Sequence, residues 1–213
     1  MDVKRVLCYG DSNTWGYDGE TGLRFPADIR WPGVVAKKLG PGFELVEAGL
    51  NGRTAVFEDP LTEGLCGISH LYPAMGCAAP LDGMIVMLGT NDCKQRFSAT
   101  ADNIVRGIGR LLVKAQRSDY WKAVPRILLM APVCIDLRYQ QSAVADTLGI
   151  GCAEKSAAIV PLIAACAREH GCEYLDVNTL GAVNQTDFLH LDAPSHAALA
   201  IKVREAFSVF KEL

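Results

Sequence analysis

Val6-Leu7-Cys8-Tyr9-Gly10-Asp11-Ser12-Asn13-Thr14-Trp15-Gly16 sets a short apolar run against Gly-Asp-Ser. A buried strand that stops in this way delivers a hydroxyl to the carboxyl edge of a sheet, where open α/β folds keep their chemistry. Ser12 therefore reads as a nucleophile. A base, an orienting carboxylate and an oxyanion hole then have to come from the rest of the chain.

Outward from this stretch, strand and helix signals alternate. Val3 to Tyr9 is a short apolar strand, as expected where both faces are covered. Residues 18 to 30 read as a polar loop. Pro32 suits the start of a helix that runs to Leu39 and is stopped by Gly40-Pro41-Gly42. Phe43 to Ala48 is a second strand, followed by the turn-like Gly49-Leu50-Asn51-Gly52-Arg53-Thr54. Residues 55 to 80 are irregular, with a helix expected somewhere in 67 to 78. Met84 to Leu88 is a third strand and ends in Gly89-Thr90-Asn91-Asp92. Ile104, Ile108, Leu111, Leu112 and Ala115 predict a helix from Thr100, which can cap it, to Gln116. Ile127 to Met130 is a fourth strand, and 133 to 150 a long loop. Ala153 to His170 is helical in pattern, with Pro161 expected to kink or split it and Gly171 to end it. Glu173 to Asp176 is a fifth strand. Ser195 to about Phe210 is the closing helix.

Right-handed crossovers turn this order into a three-layer α/β/α fold. Its five-stranded parallel sheet has the flavodoxin-like order 2-1-3-4-5, with the switch point beside strand 1 and Ser12. No linker or repeat divides the 213 residues, so one domain is expected over 1–213. The formal net charge of −3 is spread without a basic stripe, which argues against nucleic acid and a membrane surface as partners. No apolar run reaches bilayer-spanning length. Met1-Asp2 leads through Lys4-Arg5 straight into a strand, without the pattern of a signal peptide. The eight cysteines contain no Cys-x-x-Cys pair and read as free thiols in a reducing compartment, so a cytoplasmic location is expected.

Ser12 has a plainer reading as a cap or turn residue. Phosphate-loop and dinucleotide fingerprints are absent, as is the G-x-S-x-G elbow. Among the histidines, His170 closes a helix, His196 reads as a surface residue of the last helix, and His70 falls in the irregular region. His190 lies in Asp187-Phe188-Leu189-His190, where one turn sets the Asp187 carboxylate on the imidazole and fixes its tautomer. A metal set of His190, Asp192 and His196 lacks the H-E-x-x-H spacing and a cysteine partner, so neither metal nor cofactor is expected. For the oxyanion hole, Gly52 has no side chain to block its N–H, Asn91 follows a strand end with an amide, and Ser12 has its own N–H. Gly52 reads equally as a turn glycine and Asn91 as a helix cap.

Gly10-Asp11-Ser12, Gly52, Gly89-x-Asn91-Asp92 and Asp187-x-x-His190 stand in the order of the four blocks of the SGNH (GDSL-type) hydrolases. The chain resembles that superfamily over nearly its whole length. It looks most like the bacterial arylesterase/acyltransferase group, through Gly10 to Gly16, Arg24-Phe25 to Arg30-Trp31, Glu47 to Thr54 and Met87 to Asp92. Asn13 stands where the eponymous motif has leucine, and the 133 to 150 loop reads differently. The resemblance implies Ser12 as nucleophile, His190 as base and Asp187 as its orienting group. It implies an oxyanion hole of Ser12, Gly52 and Asn91. The expected function is a serine esterase that hydrolyses or transfers small acyl groups from carboxylic esters, with a small-molecule ester as partner and no cofactor. Asp11, Trp15, Asn51, Phe57, Lys94 and loop 133 to 150 are expected to shape the substrate pocket, although each also reads as packing or surface. The resembled group forms assemblies, which leaves room for a homo-oligomer. Two other classes stay open: a carbohydrate O-acetyl esterase, favoured by a sugar-stacking Trp15 or Tyr17, and a non-catalytic small-molecule-binding flavodoxin-like domain. The second requires Ser12 and His190 to stay apart.

Overall fold

The computed structural model describes residues 3–206. Five parallel strands, β1 (Lys4–Gly10), β2 (Phe43–Gly49), β3 (Gly83–Met87), β4 (Ile127–Ala131) and β5 (Glu173–Asp176), form one sheet in the order β2-β1-β3-β4-β5. This is the order expected from the alternating pattern. β1 has β2 on one side and β3 on the other, so the chain leaves the two neighbours of this gap in opposite directions and opens a crevice at the carboxyl ends.

Period-two alternation divides the central strands between two cores. Leu7, Tyr9, Met84, Val86 and Leu129 face one layer, which holds α3 (Gly67–Ala78), α4 (Ala101–Gln116) and α6 (Cys152–Glu169). Val6, Cys8, Ile85, Met87, Leu128 and Met130 face the other, with α2 (Trp31–Leu39) and α7 (Ala193–Ala206). β3 and β4 are buried throughout, which is why they read as unbroken apolar runs. The edge strand β2 is only half-buried.

Several local expectations change. Ser12 to Trp15, to which the sequence pattern gives no element, is a one-turn helix, α1 (Ser12–Trp15), with Asp11 as its cap. Pro161 neither splits nor ends α6, which is one helix from Cys152 to Glu169. Pro161 lies on its exposed face, where a carbonyl that loses its partner can turn to water, while Ile159 and Ile163 anchor the helix in the core. The 133 to 150 segment is not plain loop. It carries a 3₁₀ turn (Leu137–Gln141) and a short helix, α5 (Ala145–Leu148). The expected continuation of the last helix to Phe210 lies outside the described residues. No helix among the described residues is long and apolar enough to cross a membrane. All eight cysteines are free.

Candidate active site

Ser12 is the first residue of α1, directly past the end of β1. The Asp11 side chain accepts from the Asn13 N–H at 3.0 Å and caps the turn. This pins Ser12 in the crevice beside the ends of β2 and β3. The Ser12 hydroxyl donates to His190 Nε2 at 2.8 Å. His190 Nδ1–H donates in turn to Asp187 Oδ2 at 2.7 Å. All three side chains are buried.

The Asp187–His190 segment is held by its own backbone. Asp187 Oδ1 accepts from the N–H groups of Leu189 and His190, at 2.9 and 3.0 Å. Such wrapping needs a sharp reversal, and Phe188 supplies it at φ +60°. Burial alone would raise the Asp187 pKa, but the hydrogen bond and charge of His190 and these N–H groups outweigh it and hold it down at about 2. Asn184, which the sequence analysis passed over, locks the loop further. Its Nδ2 donates to Asp187 Oδ1 at 2.7 Å and to the His190 carbonyl at 2.9 Å. Its Oδ1 accepts from the Asp187 N–H at 2.9 Å. An asparagine three residues before an aspartate is a local turn signal, and it was the available clue. Gly19 covers the carboxylate from outside: a Cβ there would collide with Asp187 Oδ2. Tyr17 lays its ring against the His190 imidazole, 4.5 Å between centroids.

Ser12 and His190 open into a cavity of about 160 Å³. Gly52, Asn51, Asn91 and Lys94 line it, as do Val144, Thr147 and Leu148 from the 133 to 150 segment. Gly52 sits at φ +82°, a conformation that favours glycine, and Arg53 donates to the Gly10 carbonyl at 2.8 Å, tying this turn to the end of β1. Asn91 Nδ2 is buried with no hydrogen-bond partner. Below it, Asp92 accepts from the Ala55 N–H at 2.9 and 3.0 Å, and burial pushes its carboxyl up to about 7. Burial lowers the Lys94 pKa, with Asp59 opposing.

Three residues expected at the pocket are elsewhere. Asp11 is fully buried as the cap of α1, since its short side chain turns back to its own helix. Trp15 ends α1 and packs under the Arg24 guanidinium, 5.2 Å from its ring centroid. Phe57 stacks on Phe97 at 5.3 Å, against the core. His196 also departs from its expected surface position. It is completely buried, its Nδ1 accepts from the Trp31 N–H at 3.3 Å, and burial draws its pKa down to about 4. The helix it sits on is covered by α2, which pattern alone did not reveal. His70 is exposed on α3, and His170 caps α6 as expected. A larger cleft of about 840 Å³ among α3, α4 and α6 contains none of the site residues.

A parallel sheet with a hydrogen-bonded Ser-His-Asp set at its switch point defines a carboxylic ester hydrolase of the SGNH type. The chain belongs to the GDSL-like lipase/acylhydrolase family, whose model matches residues 8–198. Among solved structures it is similar to a carbohydrate acetylesterase family member from Sinorhizobium meliloti, at 33% identity over 99% of this chain and 100% of that one, with a TM-score of 0.91. It is similar to the native aryl esterase of M. smegmatis at 30% identity over 98% and 100%, TM-score 0.87. It is similar also to a putative arylesterase from Agrobacterium tumefaciens str. C58 at 33% identity over 98% and 100%, TM-score 0.88. No curated protein matches the chain.

Proposed function

We propose that Ser12, His190 and Asp187 hydrolyse esters of small acyl groups through an acyl-enzyme. The carrying observation is the unbroken hydrogen-bond chain from Ser12 Oγ to Asp187 Oδ2, in contacts of 2.8 and 2.7 Å. A non-catalytic domain has no need of that contact.

The Asp187 carboxylate at Nδ1 favours the tautomer with its proton there, leaving the Nε2 lone pair for Ser12. As Oγ attacks the ester carbonyl carbon, Nε2 takes the hydroxyl proton and the C=O electron pair moves onto oxygen. The oxyanion meets Asn91 Nδ2, the Gly52 N–H and the Ser12 N–H, which has no intrahelical acceptor in the first turn of α1. Collapse expels the alcohol, protonated by His190, and leaves acyl-Ser12. Water then repeats the sequence, giving its proton to Nε2 and releasing the acid. An alcohol in place of water gives acyl transfer. A cavity of about 160 Å³ walled by Val144, Leu148 and Leu189 supports a short acyl group. The Sinorhizobium relative favours a second reading, a carbohydrate ester as substrate, with Tyr17 as the aromatic wall. Eight free cysteines support work in the cytoplasm.

The test is a p-nitrophenyl ester series, acetyl to dodecanoyl, with wild type and Ser12→Ala. A Ser12-dependent rate that falls with chain length supports the proposal. Equal rates in the two proteins remove Ser12 as nucleophile.

A further inference from the structure

Lys94 brings a buried cation with unused donors to this cavity. An ammonium has three N–H donors. Among the described residues its one acceptor is Asp59 Oδ2, at 3.5 Å. That carboxylate is shared, since Arg96 Nη1 reaches its two oxygens at 3.2 and 3.4 Å and the Leu61 N–H donates to Oδ1 at 3.0 Å. Two cations therefore face the Asp59 carboxylate, and the buried Asp92 also acts on Lys94. Lys94 is only 5% exposed, and it lines the cavity that Ser12 opens into. None of the residues lining that cavity is acidic. A purely apolar acyl group offers the ammonium donors no acceptor. An anionic oxygen would satisfy them with short, charge-assisted hydrogen bonds.

We propose that Lys94 selects esters that carry a carboxylate, on the acyl or the alcohol half, seated in the cavity beside Ser12. The proposal rests on the esterase reading above and narrows its substrate class.

Two pairs of esters test it, with rates followed by pH-stat. Monoethyl succinate against ethyl pentanoate places the charge on the acyl half. O-Acetylglycolate against propyl acetate places it on the alcohol half. In the wild type, one anionic ester is expected to exceed its neutral counterpart at least about tenfold in kcat/KM. Lys94→Met should lower that ratio by a similar factor, and Lys94→Arg should keep part of it. Ratios below one in both pairs, or a ratio unchanged in Lys94→Met, overturn the proposal. If the neutral esters are still turned over in a Ser12-dependent way, the esterase reading stands without it. If Lys94→Met does not fold, inhibition of the wild type decides. Succinate or glycolate should then compete with ethyl pentanoate, more weakly as NaCl is raised; no competition by either overturns the proposal.

Discussion

Asn91 holds a buried, unpartnered amide at the cavity into which the Ser12 hydroxyl opens. Leaving such a donor unsatisfied costs about 1–3 kcal/mol in the resting protein. The same donor gains its acceptor only when an oxyanion forms. Asn91→Ala should therefore lower kcat by roughly 10²- to 10³-fold while leaving thermal stability equal or higher. Steady-state kinetics and a melting curve on the same sample check both halves. A loss below about tenfold would remove Asn91 from the oxyanion hole.

Asp187→Asn keeps the shape of the loop but removes the charge that orients His190. The expected fall in kcat is on the order of 10⁴-fold, with the ester KM little changed. The same carboxylate links folding to acid. Its folded pKa of about 2 lies below the ordinary 3.8, so the native state binds the proton less readily than the unfolded chain. Its stabilisation, about 2 kcal/mol, is present above pH 4 and is lost as pH falls towards 2. Urea midpoints at pH 5 and pH 2.5 should converge for wild type and variant at the lower value.

His196 acts on a higher pH window. Its folded pKa of about 4 lies below the ordinary 6.5, because burial disfavours the imidazolium. The unfolded chain therefore binds the proton more readily, and about 3 kcal/mol of stability is lost as pH falls from 6.5 to 4. Asp92, raised to about 7, tilts the same window the other way, so the informative quantity is the difference from wild type. His196→Gln, which keeps an acceptor for the Trp31 N–H, should narrow its stability deficit as pH falls from 7 to 4. A deficit independent of pH would show that His196 is not held neutral.

Val144 is a partly buried wall of the site cavity on the segment that precedes α5. Val144→Ala should raise the kcat/KM of hexanoyl over acetyl p-nitrophenyl esters by roughly tenfold, the scale of one or two methylene contacts. An unchanged ratio would mean that the acyl chain points away from this wall.

The fold was legible because its central strands are buried on both faces, and β1 and β3 run out into Gly10-Asp11-Ser12 and Gly89-Thr90-Asn91-Asp92. Runs such as Met84 to Leu88 can hardly be anything but central parallel strands. The 133 to 150 segment was not legible. Its helix and 3₁₀ turn are a few residues each, too short for a period to show. Trp15 and Phe57 read equally as pocket or as packing residues, and no sequence pattern separates the two. An aromatic side chain goes where apolar or cationic surface is offered, and Arg24 and Phe97 offered it.

By itself, the sequence determined the alternation of strands and helices and the local chemistry of each block. These follow from hydrophobic periodicity and from contacts within a few residues, such as Asp187 with His190. Only the tertiary structure decided that Ser12 and His190, 178 residues apart, come within 2.8 Å. It also decided that His196 is buried, that Lys94 faces the cavity with donors left over, and that Val144, Thr147 and Leu148 close it. Those outcomes depend on which helices and loops pack together across the sheet edge, and no short-range pattern encodes that choice.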